Sequence, residues 1–217
     1  MLFRSKSVCY LIASPEMVPG HSWPYQQIYS DLRSAPEQTG ECLAKGIVNT
    51  YVNFYTAHSP AAGDVTKVAV DLRALGGLKA AIDAFSSSLL HNLEVNADLL
   101  WQAQLATRFA ETRGGTRQQS KFDYHLWDAG TLANKVSLGT SDPALQAAAR
   151  SLHNLLLPGR GPVIAEGHSG DWFDGIAGVT LYLPMAPTRV SACYADLDFA
   201  QETLWGRLVQ DYRSFYP

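Results

Sequence analysis

The stretch Val8-Cys9-Tyr10-Leu11-Ile12-Ala13-Ser14-Pro15-Glu16 decides how this chain is read. Arg4 and Lys6 stand ahead of an apolar run and so imitate the basic and apolar regions of a secretory signal. The apolar part stops at Ser14-Pro15-Glu16, short of the ~7–15 apolar residues such a region needs. Its β-branched and aromatic content suits a buried strand instead. Val8 to Ala13 is therefore expected to be a strand lying almost at the first residue.

Working outward, Pro19-Gly20-His21-Ser22-Trp23-Pro24-Tyr25 holds two prolines and a glycine, which remove backbone donors and permit positive φ, so an irregular loop follows the strand. Ile28 and Leu32, then Leu43, Ile47, Val48, Tyr51, Val52 and Tyr55, recur at helical steps on either side of a break at Ser34-Ala35-Pro36. Lys67 to Leu72 reads as a second strand. Leu75, Leu78, Ile82, Phe85 and Leu89 share one helical face and predict a core-facing helix. Further helices are expected over 99–109, over 122–136, and behind the Asp142-Pro143 cap, where the proline suits the first helical position. Val163-Ile164-Ala165 and Gly178 to Leu183 read as strands, and Asp198 opens a final helix through Tyr212.

Strands separated by helices predict an α/β fold, a layered structure with a mostly parallel sheet flanked by helices, in a single domain over 1–217. Three or four strands are few for a buried parallel sheet, so strands on its N-terminal side are expected to be missing.

Lys and Arg number 17 against 20 Asp and Glu, a net charge of −3 without a basic run, so the electrostatic footprint of a nucleic-acid binder is absent. Charged residues interrupt every apolar stretch before it reaches the ~20 residues that span a bilayer. Cys9, Cys42 and Cys193 lack the spacing of a zinc site or disulfide framework and are expected to be buried, inert thiols; no metal or cofactor is expected. His168-Ser169-Gly170-Asp171 is read as a polar turn.

Several blocks carry a resemblance. Tyr10 to Glu16 followed by Pro19-Gly20 and Trp23-Pro24-Tyr25, then Val70 to Leu75, Asp123 to Gly130, Gly178 to Pro184, and Leu197 to Ala200 with Trp205, resemble the clostripain family of cysteine peptidases. That resemblance implies a caspase-like fold and peptide-bond cleavage, often after a basic residue, by a Cys nucleophile with a His partner. In that family the dyad lies upstream of the matched strand, so the chain is expected to be a C-terminal portion with no catalytic residue of its own. An N-terminal chain carrying the dyad, or self-association, then supplies the partner, and a peptide or protein is the substrate. Family members are often exported, which implies an extracellular or periplasmic location.

The loop from Ser14 to Tyr25 is expected to wall the substrate cleft, with Glu16, His21, Trp23 and Tyr25 as its substrate-binding residues. Glu16 would serve as counter-ion and Trp23 as an aromatic face for a Lys or Arg stem. Core packing for Trp23 and a solvent-facing position for His21 stay open. The chain departs from the family at Ser14-Pro15-Glu16, where one of two carboxylates becomes proline, and at Ser22, where a glycine is usual. A non-enzymatic peptide-binding or scaffold protein derived from the family is the alternative.

Overall fold

The computed structural model describes residues 7–15, 18–20, 23–58, 64–107, 125–185 and 188–215. Its strands are β1 (Tyr10–Ala13), β2 (Val65–Asp71), β3 (Leu126–Asp128), β4 (Val163–Ser169) and β5 (Thr180–Tyr182). Its helices are α1 (Tyr25–Ser34), α2 (Gly40–His58), α3 (Leu75–His91), α4 (Leu93–Ala106), α5 (Ala129–Gly139), α6 (Pro143–Leu156), α7 (Asp198–Glu202) and α8 (Leu204–Arg213). The α/β class holds.

β1, β2 and β4 form one sheet in that order, β3 and β5 a second, and every pair is antiparallel. The mostly parallel sheet expected from strand–helix alternation is thus corrected. One crossover helix returns the chain to the end from which the previous strand started, which makes neighbours parallel. Two helices, α1 and α2, separate β1 from β2, and the chain enters β2 from the opposite end.

The three-stranded sheet has two different faces. On one, α2 lays Ala44 and Val48 against Ala69, with Tyr10 and Ile12 beside them, and Tyr51 and Tyr55 against Val65. On the other, Val68 and Val70 join the main core. There the predicted stripe of α3 is buried along its whole length, with Leu145, Ala149, Leu152 and Leu156 of α6 fully enclosed. Each such leucine contributes about 1.5–3 kcal/mol through burial. Asp142 caps α6 as expected, accepting from the Ala144 amide at 2.8 Å.

Two elements differ from the sequence reading. Leu126–Asp128 is a strand where a helix over 122–136 was expected, and the helix begins only at Ala129. The final helix is two helices, broken at the extended residue Thr203. The first amide of α8, Leu204 N, donates to Asp83 Oδ1 of α3 at 2.8 Å. Gly206 tolerates this turn because a Cβ there would strike the Ala200 carbonyl.

β5 is tied down by indoles as well as by its ladder. Trp205 Nε1 donates to Tyr182 O at 2.9 Å, and Trp127 Nε1 donates to Leu183 O at 2.7 Å. Gln104 donates to the same Leu183 carbonyl at 2.9 Å and accepts from Tyr212 Oη at 2.7 Å.

Candidate functional site

The register pairs Ala13 with Val68 and Val68 with Glu166, so the carboxyl end of β1, the start of β2 and the end of β4 meet at one end of the sheet. Both loops singled out in the sequence, the one after Ala13 and the one around His168, leave from there. Alternation along the strands then sends their side chains to opposite faces.

On the α2 face, Lys67 is fully buried, with Nζ 4.1 Å from the Trp23 ring centre and 3.8 Å from that of Tyr51. Among the described residues Nζ has no hydrogen-bond acceptor. The two ring faces replace part of its lost hydration. Burial pulls the Lys67 pKa down to about 8 and pushes the Tyr51 hydroxyl up. Trp23 meets Tyr51 edge-on at 6.1 Å and stacks on Tyr25 at 6.4 Å, which in turn stacks on Tyr29. Ser14 Oγ donates to Thr66 O at 2.8 Å and fixes the first residue of the loop.

On the opposite face stand Glu166 and His168, two residues apart on β4. His168 Nδ1 lies 3.0 Å from Glu166 Oε1, and Nε2 lies 3.1 Å from Asp174 Oδ1 in the loop that follows. Burial lowers the His168 pKa, but the two carboxylates outweigh it and the pKa is raised overall. Burial also raises that of Glu166, against the opposing pull of His168. Farther along the same loop, Ala177 and Gly178 donate their amides to Asp128 Oδ2 at 2.9 Å each. Asp128 Oδ1 accepts from the amide and hydroxyl of Thr131 at 2.8 Å, so one fully buried carboxylate caps α5 and anchors the loop. Burial raises its pKa against those four donors. Gly178, at φ +80°, lies so close to Val68 that a Cβ would come within 2.9 Å of the valine Cβ.

Beside this end runs an apolar groove of about 640 Å³. Leu11 and Ala13 of β1 form one side, Val179 and Leu181 the other, and Lys79 and Asp198 lie on its border.

Of the four predicted substrate-binding residues, Glu16 and His21 lie outside the described residues. Trp23 is half-buried and covered on the α2 face, whereas Tyr25 is 54% exposed. The expectation of buried cysteines is corrected: Cys9, Cys42 and Cys193 are all exposed. Cys9 falls in a bend before β1 rather than inside the strand, Cys42 faces outward from the first turn of α2, and Cys193 sits in a short 3-10 turn. Among the described residues no three His, Cys, Asp or Glu side chains group in a way that could hold a metal ion. Among those residues, too, no helix is long and apolar enough to cross a membrane.

The sequence reading missed Lys67, Glu166 and Asp174. Lys67 was placed at the first position of its strand, although Val65 and Thr66 precede it there, and β4 was ended at Ala165. The alternation Glu166-Gly167-His168 was the available signal for a longer β4.

A family model described as the clostripain family matches residues 3–212. Among solved structures, an inactive zymogen C11 protease from Parabacteroides distasonis superimposes with a TM-score of 0.57 at 18% identity, over 89% of this chain and 51% of that one. A clostripain from Bacteroides thetaiotaomicron, in complex with a peptide inhibitor, gives 0.54 at 14% identity, over 94% and 78%. A secreted C11 cysteine protease from the same organism gives 0.52 at 17% identity, over 94% and 53%. The chain therefore spans about half the length of the first and third of these proteins. No curated protein matches it.

Proposed function

Because the chain belongs to the clostripain family of cysteine peptidases, we propose that it forms the substrate-binding wall of such a peptidase and works with a Cys–His dyad borne on preceding polypeptide. The observation that carries this reading is the fixed loop at the end of β1, with Ser14 bonded to Thr66 and Trp23 seated over Lys67 and Tyr51. A loop pinned at both ends holds a cleft wall in place without substrate. Among the described residues no cysteine is hydrogen-bonded to a histidine, which accords with a nucleophile supplied from elsewhere.

In this reading the dyad thiolate attacks the scissile carbonyl carbon, the histidine protonates the departing amine, and water then hydrolyses the thioester. The present chain contributes binding. A Lys or Arg side chain entering the cleft loses hydration, Glu16 supplies the counter-charge, and the open Tyr25 ring packs against its aliphatic stem. The secreted relative supports an extracellular or periplasmic location. A non-enzymatic peptide-binding role is the second reading, favoured by the same lack of a Cys–His contact.

The test is reconstitution. The chain alone releases no product from Arg or Lys peptides; with a dyad-bearing family portion it cleaves them, and Glu16→Gln and Tyr25→Ala lower the preference for basic over neutral substrates. Peptide binding without cleavage in the reconstituted pair supports the non-enzymatic reading. Cleavage whose substrate ratios are unchanged by both substitutions removes the loop from specificity.

A further inference from the structure

The outer edge of β1 has a definite hydrogen-bonding pattern. Cys9 O accepts from Leu72 N at 2.8 Å, so the Cys9–Leu72 pair is a bonded one. Alternation makes Leu11–Val70 and Ala13–Val68 bonded pairs too, whereas Tyr10–Asp71 and Ile12–Ala69 are not. The Asp71 amide agrees, donating away from β1 to Pro162 O at 2.7 Å. The N–H and C=O groups of Tyr10 and Ile12 therefore face outward, and among the described residues no strand pairs with them.

Nothing on Tyr10-Leu11-Ile12-Ala13 blunts this edge. It has no charge, no proline and no bulge, the devices that usually protect exposed strands. The same strand borders the apolar groove through Leu11 and Ala13, and Leu197, 51% exposed, lines the groove as well. β4, at the other edge of the sheet, contributes no residue to the groove. Unmet backbone groups and uncovered apolar surface thus adjoin on one side of the molecule.

We propose that the outer edge of β1 and the adjoining groove are one docking surface for the preceding polypeptide of the peptidase, which adds a strand to β1 and seats apolar side chains in the groove. This rests on the functional reading above. Length favours that occupant over a second copy: the zymogen and the secreted protease each contain roughly as much chain again beyond the region this protein covers. Main-chain bonds to Tyr10 and Ile12 supply part of the affinity, and the groove selects which side chains accompany the strand.

The experiment co-expresses this chain with the stretch of the Parabacteroides distasonis protease that it does not cover. Complex formation is followed by sedimentation, amide exchange at Tyr10 and Ile12, and cleavage of an Arg peptide. Ile12→Pro removes one outward donor and Ile12→Ala is its packing control, because the Ile12 side chain rests against the α2 face. The expected result is a complex in which both amides exchange more slowly, with Ile12→Pro binding about tenfold more weakly than Ile12→Ala and Leu197→Lys also weakening it. A complex that leaves both amides unprotected overturns the proposal even if it is active. A homodimer with both amides protected overturns it in favour of a second copy, and the absence of any association overturns it outright. A protected complex that cleaves nothing supports the docking surface while removing the peptidase reading.

Discussion

The Lys67 ammonium lies 4.1 Å from the centre of the Trp23 ring, so one face of the indole is taken by a cation belonging to the protein itself. A substrate Lys or Arg cannot use that face while Lys67 holds it. The assignment of Trp23 to a specificity pocket therefore becomes a question about its other face and about Tyr25.

Lys67 prefers the neutral form once folded, because burial brings its pKa to about 8. Between that value and the unfolded value near 10.5 the unfolded chain binds more protons than the native one, so stability rises with pH across this window. Urea unfolding at pH 8 and pH 10 measures the slope, which should vanish in Lys67→Met. That variant should be as stable at pH 7 or more so, by up to about 2 kcal/mol, since an apolar side chain replaces a buried charge. An unchanged slope in Lys67→Met would assign it to another group.

Asp128 accepts four hydrogen bonds and joins α5 to the loop before β5. Asp128→Ala leaves buried donors unpaired and should cost about 3 kcal/mol or more. Asp128→Asn should recover little, because its NH₂ would face the Ala177 and Gly178 amides, donor against donor. Denaturation midpoints check this, and near-wild-type stability of the Asn variant would contradict it.

His168 bridges Glu166 and Asp174. Its folded pKa is raised above the ordinary value of 6.5, so its stabilisation is fully present below pH 6.5 and lost as pH rises through the folded value. Amide exchange in residues 170–176 should quicken over that window beyond the intrinsic pH dependence. His168→Gln should abolish the excess, and its persistence would exclude this bridge as the cause.

Trp205→Phe keeps a ring beside Phe85, whose centre is 6.3 Å away, but loses the bond to Tyr182 O. Stability should fall by about 1–2 kcal/mol, from that bond and a carbonyl left without its donor. A loss under about 0.5 kcal/mol would show that water replaces the indole.

What could be read directly from the sequence depended on how far each signal reached. The α3 stripe from Leu75 to Leu89 faces one core, so its spacing alone located the helix. Asp142-Pro143 worked because a cap acts over three residues. Strand direction is not local: antiparallel β1 and β2 depend on how many helices lie between them, which no residue in either strand records. Leu126-Trp127-Asp128 was absorbed into the helical spacing of Leu126, Ala129, Leu132 and Val136, although Asp128 followed by Thr131 marked where strand becomes helix. The family resemblance located the loop after β1. The cation beneath Trp23 was hidden because a lysine among β-branched residues gives no sign of which face it occupies.

The Asp83–Leu204 bond has a kinetic meaning. The cap that starts α8 comes from 121 residues away, so this helix cannot acquire it until α3 is in place and the intervening chain has closed a long loop. α8 also brings the indole that holds β5. Its docking therefore belongs to the late, non-local part of folding, where loop closure precedes the contacts that reward it. In a chain made from its N-terminus, the order of synthesis and the order of assembly coincide here: the cap exists well before the helix it starts.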